Sequence, residues 1–322
     1  MSPLALAAWA VVPAVLTAVL TRPLIAWLRR RQLGKMIRAD GPDHSAKAGT
    51  PTMGGLALLA VVAAALAAVP ASGAPGLDLR GPVSVALVAF GAIGLLDDWL
   101  GLARKGRARE LGVGLEARHL LLLQAVMAAG LATWLARTYA PSGVWAALWW
   151  FVAFVAIMGT ANGVNLSDGL DGLAAGLIAL AFGALAVVLL MRGAPGAAAW
   201  CFAVASASLG FLVWNRHPAR VFMGNVTSMA LGAALAVLAL ATGTWLVLPA
   251  IGAVFVAEVA SDVVQIGYFK ATGGRRILRC APLHHHFEMG GWPETTVVRR
   301  FWLAGAAAAV VGVALSASLP AG

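Results

Sequence analysis

Residues 161–190 read ANGVNLSDGLDGLAAGLIALAFGALAVVLL, a polar segment that passes directly into a long apolar run. The apolar part, predicted as a span over 172–191, is close to the about 20 residues that a helix needs to cross a hydrocarbon core of about 30 Å. The polar part supplies two carboxamides and two carboxylates, which a helix entering lipid does not require. The stretch therefore predicts a membrane helix that begins at a functional site.

Similar apolar blocks recur along all 322 residues, of which 61% are hydrophobic and only 11% are charged. A soluble domain would contain about 45–50% apolar and about 25% charged residues, so we predict an all-α, polytopic membrane protein that forms one domain over 1–322. The first block lacks a basic region ahead of it, so it is interpreted as a retained helix. Ten spans are predicted, at 3–21, 53–70, 81–97, 119–136, 144–161, 172–191, 197–214, 228–242, 245–268 and 301–318.

The 23 Lys and Arg residues are distributed unevenly about these spans. If both termini face outward, all of them except Arg80, Arg137 and Arg192 fall in cytoplasmic segments. The positive-inside rule predicts this orientation and places the active site on the cytoplasmic face. The formal net charge of +10 is therefore attributed to topology and anionic lipid, and no nucleic-acid partner is expected. The cytoplasmic segments are 22–50, 97–118, 160–171, 215–227 and 269–300.

Four polar residues recur at every third position in the opening stretch: Asn162, Asn165, Asp168 and Asp171. If this segment is helical, they share one face. Ser167 could then serve as the N-cap of the span that follows.

Two adjacent carboxylates, Asp97 and Asp98, end the apolar run GAIGLLDDWLG at 91–101. Like charges repel, and Asp is costly near hydrocarbon unless a cation or a solvated cavity compensates. Carboxylates are ligands that hard cations prefer. Together with Asp168 and Asp171, this pair predicts a Mg²⁺ site for a pyrophosphate substrate.

Three further segments at span junctions carry polar residues. APLHHHFEMGGWPE at 281–294 contains three consecutive histidines, of which at most two could bind one ion and which could instead contact phosphate. KAGTPTMGG at 47–55 resembles a phosphate cradle without the P-loop spacing. NRHPARVFMGN at 215–225 combines a carboxamide, a His, two Arg and an aromatic, a mixture suited to a base. The two cysteines, Cys201 and Cys280, suggest no disulfide or metal site.

Taken together, these motifs resemble the phospho-N-acetylmuramoyl-pentapeptide transferases of peptidoglycan synthesis, within the wider polyprenyl-phosphate N-acetylhexosamine-1-phosphate transferases. The resemblance runs from RADGP at 38–42, through the segments quoted above, to VVRRFW at 297–302. The wording PLHHHFE is the most discriminating piece, because the wider superfamily shares the aspartates but generally not this motif.

The resemblance implies an enzyme of the bacterial inner membrane with ten helices and a cytoplasmic active site. It would transfer phospho-MurNAc-pentapeptide from UDP-MurNAc-pentapeptide to undecaprenyl phosphate with Mg²⁺, releasing UMP and making lipid I. Whether the helices pair into a homodimer stays open.

The resemblance also implies residue roles. Asp98 would be the base that deprotonates the lipid phosphate, or the nucleophile of a two-step reaction, and Asp97 would support it or the metal. The other catalytic candidates are His284 and His285, and the metal ligands would be Asp97, Asp98, Asp168 and Asn225. The substrate-binding candidates are Lys47, Thr52, Lys105, Asn162, Asn165, Asp168, Asp171, Asn215, Phe222 and His286, with Asp171 and Asn215 near the uracil and Phe222 as a stacking platform.

The sequence departs from the family pattern at two positions. The family wording GDTGS reads GNVTS here, so Asn225 replaces an aspartate implicated in Mg²⁺ binding and removes a full charge. We therefore expect either weaker metal affinity with retained activity, or compensation from the other aspartates. Leu120 stands where a Lys is expected two places after Arg118.

Other functions are compatible with parts of the pattern. A sister transferase could use UDP-GlcNAc or a similar sugar, although PLHHHFE argues against it. Asn225 would also suit a non-catalytic paralogue that binds nucleotide or lipid. A transporter is disfavoured because the acids concentrate on one face, and only Glu258 and Asp262 lie within a predicted span.

Overall fold

The computed structural model describes residues 2–34, 47–69, 79–103 and 114–319. Within these ranges every regular element is a helix, apart from one isolated β-bridge between Gly34 and Pro51. The predicted all-α class is therefore confirmed. The RADGP motif at 38–42 and the predicted site residue Lys105 lie outside the described residues.

Twelve α-helices follow one another along the described chain. They are α1 (Pro3–Arg30), α2 (Gly55–Ala68), α3 (Arg80–Ala103), α4 (Ala117–Tyr139), α5 (Val144–Ser167), α6 (Leu173–Met191), α7 (Pro195–Asn215), α8 (Asn225–Ala241), α9 (Leu248–Ile251), α10 (Ala253–Ala271), α11 (Leu283–Glu288) and α12 (Glu294–Ser318).

Seven of the described helices are long and apolar enough to cross a membrane. A bent pair, Trp245–Ile251 and α10, meets at 77° and would be an eighth span if counted as one. The bend falls within the predicted ninth span. Two further predicted spans hold α2 and α8, which are shorter, with 14 and 17 residues. The predicted count of ten and the orientation of the termini stay predictions.

Helix α8 is the most enclosed element of the bundle. All of its residues from Val226 to Ala241 are buried, and it packs between α3 and α5. A helix that is apolar on every side gains most when other helices surround it. Because α8 begins at Asn225, this packing places its first turn beside the ends of α3 and α5, which carry the predicted aspartates.

Glycines let several helix backbones approach closely, as small residues do in membrane bundles. A Cβ built at Gly210 of α7 would lie 2.1 Å from the Ala14 carbonyl oxygen of α1. A Cβ at Gly94 of α3 would lie 2.2 Å from the Asn225 carbonyl oxygen. These two crossings therefore have no room for a side chain.

Gly210→Ala is expected to lower the free energy of unfolding by about 1–3 kcal/mol, because the added methyl group forces α1 and α7 apart. Thermal unfolding of the purified protein in detergent measures the effect. Gly183→Ala on α6 is the matched control, since nothing lies within 4 Å of its built Cβ, and alanine is the better helix former. Equal melting temperatures for the two variants would contradict the close contact between α1 and α7.

Candidate functional site

The loop ahead of α2 is tied by backbone hydrogen bonds to the segment ahead of α8. Phe222 donates its N–H to the Pro51 carbonyl oxygen at 2.8 Å, and Gly54 donates back to the Phe222 carbonyl oxygen at 2.9 Å. The Lys47 ammonium consequently lies 5.9 Å from the centre of the Phe222 ring. The cradle segment and the aromatic candidate thus lie side by side, and Thr52 of the cradle segment is buried.

An acidic cluster, consisting of Asp97, Asp98, Asp168 and Asn225, forms where α3, α5 and α8 meet. Asp98 accepts a hydrogen bond from the Val226 N–H at 3.1 Å, and Asp168 accepts one from the Gly224 N–H at 3.1 Å. Both carboxylates therefore lie at the start of α8, where unpaired N–H groups and the helix dipole favour negative charge. Asp97 and Asp168 are close enough to Asp98 to interact electrostatically with it. The structure brings three of the four predicted aspartates together, whereas the fourth, Asp171, has its carboxylate on Lys47 and the Ala219 N–H instead.

Asn225 is a hydrogen-bond donor within this cluster. Its Nδ2 donates to Asp97 Oδ2 at 2.5 Å, and its Oδ1 accepts from Asn165 Nδ2 at 2.8 Å. If the Asn225 amide were turned over, its oxygen would lie 2.5 Å from Asp97 Oδ2, and two acceptor oxygens would repel each other. The Asp97 carboxylate therefore determines which way the amide points. The carbonyl oxygen that was expected to serve the metal is therefore bonded to Asn165 instead.

The predicted helical face of Asn162, Asn165, Asp168 and Asp171 is present only in part. Helix α5 continues to Ser167, so the two asparagines lie on its last turns and the two aspartates follow its end. Asn162 points to Gln124 and to the Met158 carbonyl oxygen.

The predicted N-cap role of Ser167 is wrong. Its hydroxyl donates to the Gly163 carbonyl oxygen within α5 at 2.8 Å. Gly172, in the left-handed conformation with φ of 81°, precedes α6 instead. The serine lies inside a helix that runs past the predicted end of its span, and so it cannot cap the next helix.

A lysine cluster, consisting of Lys47, Asp171, His217 and Glu294, joins the cradle loop to the start of α12. Lys47 Nζ lies 2.8 Å from Asp171 Oδ1 and 2.5 Å from Glu294 Oε1. Asp171 Oδ2 accepts from the Ala219 N–H at 2.9 Å and lies 3.1 Å from His217 Nδ1. Glu294 also accepts from the Asp171 backbone N–H at 2.7 Å. The Lys47 ammonium thus forms ion pairs with both the Asp171 and the Glu294 carboxylates.

Asp171, His217 and Glu294 have ligand atoms close enough together to hold a metal ion. The Lys47 ammonium, however, already contacts both carboxylates and supplies positive charge there. A cation entering this group would have to displace it. The acidic cluster, whose carboxylates accept from neutral N–H groups, is the better candidate for an ion.

A histidine cluster, consisting of Glu258, His284, His285 and Glu288, lies beside Gly169. His284 Nδ1 lies 3.1 Å from Glu258 Oε2, and His285 Nδ1 lies 2.7 Å from Glu288 Oε2. The two imidazole rings are 4.1 Å apart between centroids. His286 points elsewhere, because its Nδ1 accepts the Arg279 backbone N–H at 3.1 Å.

The segment Asp168–Asp171, here called the 168–171 turn, connects the three clusters. Asp168 belongs to the acidic cluster and Asp171 to the lysine cluster. Between them, a Cβ built at Gly169 would lie 2.6 Å from His284 Nε2 and 3.6 Å from His285 Nε2. Three residues of one short turn therefore lie against the acidic cluster, the paired lysine and two imidazoles, groups whose chemistry suits a phosphorylated substrate.

Sequence reasoning missed four participants: His217, Glu258, Glu288 and Glu294. Glu258 carried a usable signal, because an acid within an apolar span requires a partner.

Asn215, which is predicted to lie near the uracil, is buried, and its Nδ2 donates to the Val221 carbonyl oxygen at 2.9 Å. It thereby shapes the segment that carries Phe222.

Two family models match this chain. The model for glycosyl transferase family 4 matches residues 82–243, which include the acidic cluster. The model for phospho-N-acetylmuramoyl-pentapeptide-transferase signature 1 matches residues 47–59, the cradle loop and the start of α2.

Curated relatives match over nearly the whole chain. The phospho-N-acetylmuramoyl-pentapeptide-transferase of Heliobacterium modesticaldum is 46% identical over 96% of this chain and 97% of its own length. The enzyme of the same name from Moorella thermoacetica is 42% identical over 95% of this chain and 96% of its own. The enzyme of the same name from Geobacillus kaustophilus is 42% identical over 93% of this chain and 94% of its own length. With its apolar helices, this similarity shows that the chain is a multi-pass membrane protein and belongs to the phospho-N-acetylmuramoyl-pentapeptide transferase family.

Proposed function

We propose that the chain transfers phospho-MurNAc-pentapeptide from UDP-MurNAc-pentapeptide to undecaprenyl phosphate, producing UMP and lipid I. The observation that carries this proposal is the similarity to enzymes of that name over at least nine-tenths of the chain. The convergence of the acidic, lysine and histidine clusters at the 168–171 turn supports it, because phosphoryl transfer depends mainly on positioning and charge neutralisation.

In the proposed reaction, an oxygen of the lipid phosphate forms a bond to the phosphorus that bears the sugar. The bond from that phosphorus to the UMP oxygen breaks, so one phosphoanhydride replaces another and little driving force is needed. We assign to Asp98 the role of general base, which accepts the proton that the lipid phosphate loses. Its place at the start of α8, with a backbone N–H on one oxygen, holds the carboxylate in a fixed direction.

We assign the nucleotide to the lysine cluster. We assign Phe222 to stacking against the uracil, because Lys47 Nζ lies 5.9 Å from the centre of that ring and 2.8 Å from Asp171 Oδ1. A bound diphosphate would compete with Asp171 and Glu294 for the Lys47 ammonium. Substrate binding is therefore expected to rearrange the ion pairs of this cluster.

The acidic cluster fits Mg²⁺ by the chemistry of its donors. Asp98 and Asp168 offer carboxylate oxygens, the ligands this ion prefers, and both would hold it, with Asp97 beside them. When bound, the ion would neutralise negative charge on the transferring phosphate. Asn225 would contribute by orienting Asp97, since its amide donates to that carboxylate.

Asn225→Asp is expected to make the melting temperature depend on Mg²⁺. The variant sets a carboxylate against Asp97 Oδ2, where the native amide donates at 2.5 Å, so like charges repel unless a cation separates them. Thermal unfolding in EDTA and in excess Mg²⁺ compares the two proteins. We expect a lower melting temperature than wild type in EDTA and a larger gain with Mg²⁺. The same Mg²⁺ response in both proteins would mean that position 225 does not face the ion.

We also propose that the protein lies in the bacterial inner membrane with this site on the cytoplasmic side. The support is the distribution of Lys and Arg, which follows the positive-inside rule. The soluble UDP substrate and the lipid phosphate would then meet at the membrane surface.

The test is release of UMP by purified protein in detergent with undecaprenyl phosphate, with and without Mg²⁺. UDP-MurNAc-pentapeptide should give UMP and a lipid-linked sugar, whereas UDP-GlcNAc should give neither. Turnover with UDP-GlcNAc alone would assign the chain to a sister activity. Binding of UDP-MurNAc-pentapeptide without turnover would indicate a non-catalytic paralogue.

A further inference from the structure

We propose that Glu258 is a positioning residue for the transfer reaction, holding His284 so that this imidazole supports the 168–171 turn at Gly169. The proposal rests on the proposed function, since it concerns the turn that carries Asp168 and Asp171. Glu258 lies on α10, where it is the only polar residue between positions 253 and 260.

Glu258 and His284 form an enclosed pair. Both side chains are 0% exposed, with Glu258 Oε2 3.1 Å from His284 Nδ1. Burying a carboxylate is costly unless a partner compensates. A carboxylate on Nδ1 fixes both the direction of an imidazole ring and the position of its proton. The orientation of His284 is therefore set by α10 rather than by its own short helix α11.

The far side of the His284 ring faces the turn. His284 Nε2 is buried and has no hydrogen-bond partner among the described residues, and a Cβ built at Gly169 would lie 2.6 Å from it. Glycine at 169 is thus what allows the turn to rest on the ring. A buried ring nitrogen aimed at a substrate-binding turn is not explained by core packing alone.

A second carboxylate–imidazole pair repeats this arrangement. Glu288 holds His285 Nδ1 at 2.7 Å, and His285 Nε2 points to the same glycine, 3.6 Å from its built Cβ. The His285 side chain is 22% exposed, so it is the member of the two that a substrate can reach. Glu258 and His284 would accordingly act on the reaction through His285 and the turn.

A double-mutant cycle with Glu258→Gln and His284→Asn tests the proposal in the purified full-length protein. Each single change should lower kcat for UMP release by about 10–100-fold, as for carboxylates that orient a functional histidine, with the KM for UDP-MurNAc-pentapeptide changed by no more than about twofold. Because the two residues act as a unit, the double variant should be no worse than the poorer single. Glu116→Gln, which changes a surface carboxylate with a side chain 61% exposed, is the control and should match wild type.

If the fold-losses in kcat of the two single variants multiplied in the double variant, the proposal would be overturned. So would a kcat that falls only as far as the folded fraction measured by thermal unfolding. Wild-type protein that releases no UMP would instead refute the proposed function. The pairing itself is tested separately by ¹⁵N-histidine spectra, in which a His284 Nδ1–H protected from exchange should be present in wild type and lost in Glu258→Leu.

Gly169→Ala provides a second variant that leaves the buried pair intact. Its methyl group would occupy the position 2.6 Å from His284 Nε2, so the turn must lift from the ring. We expect kcat to fall by at least about tenfold, and full activity would show that the contact between ring and turn is not used.

Discussion

Asp98→Asn is expected to lower kcat for UMP release by about 10²–10⁴-fold, the range for loss of a general acid or base. Asparagine keeps the size of the side chain and can still accept the Val226 N–H, so the start of α8 should stay in place. It cannot take up the proton of the lipid phosphate. Binding of the UDP substrate, measured by calorimetry, should therefore stay near the wild-type value.

Glu116→Gln is the control for this change, because Glu116 is a carboxylate with a side chain 61% exposed, paired with Arg118 on the surface. It should leave both kcat and binding unaltered. Wild-type turnover in Asp98→Asn would remove Asp98 from the chemistry. A parallel loss of binding and turnover would assign it to substrate retention instead.

The second large effect is expected for Lys47→Met. Asp171 and Glu294 have side chains only 2% and 14% exposed, and without the ammonium they become close, uncompensated like charges. Breaking a buried ion pair from one side typically costs about 3–5 kcal/mol. We expect a clear fall in melting temperature and a loss of UMP binding, since the phosphate of the nucleotide also loses its cation.

A second substitution that removes one of the two carboxylates distinguishes the loss of stability from the loss of UMP binding. Lys47→Met combined with Glu294→Gln should recover part of the lost stability without recovering UMP binding. Lys270→Met removes an exposed lysine from the end of α10 and serves as the control. Unchanged melting temperature and UMP binding in Lys47→Met would contradict the assignment of the nucleotide to this cluster.

Helix positions were predictable from the sequence because apolar blocks long enough to span lipid have few alternatives. Helix ends were not. The predicted span at 144–161 continues to Ser167, because polar residues beside a membrane can still complete helical turns. This extension is why Ser167 does not cap α6 and why the four polar residues of the opening stretch do not share one helical face.

The acidic cluster was predictable because Asp97, Asp98 and Asp168 follow apolar runs, where charge is hard to explain otherwise. Partners distant in sequence were not. Lys47 pairs with Glu294, which lies 247 positions away in the sequence. The residues that flank each of them in the sequence do not indicate this pairing. The orientation of the Asn225 amide likewise depends on Asn165 and Asp97, which only the packing of α3, α5 and α8 brings to it.

The 168–171 turn also limits how this chain can vary in length. Its first residue contacts the start of α8, its last contacts α12 and the cradle loop, and Gly169 rests on α11. Inserting or deleting one residue within it would pull at least one end out of register. Adaptation to new sugars is therefore expected to proceed by substitution around this segment, while its number of residues stays constant.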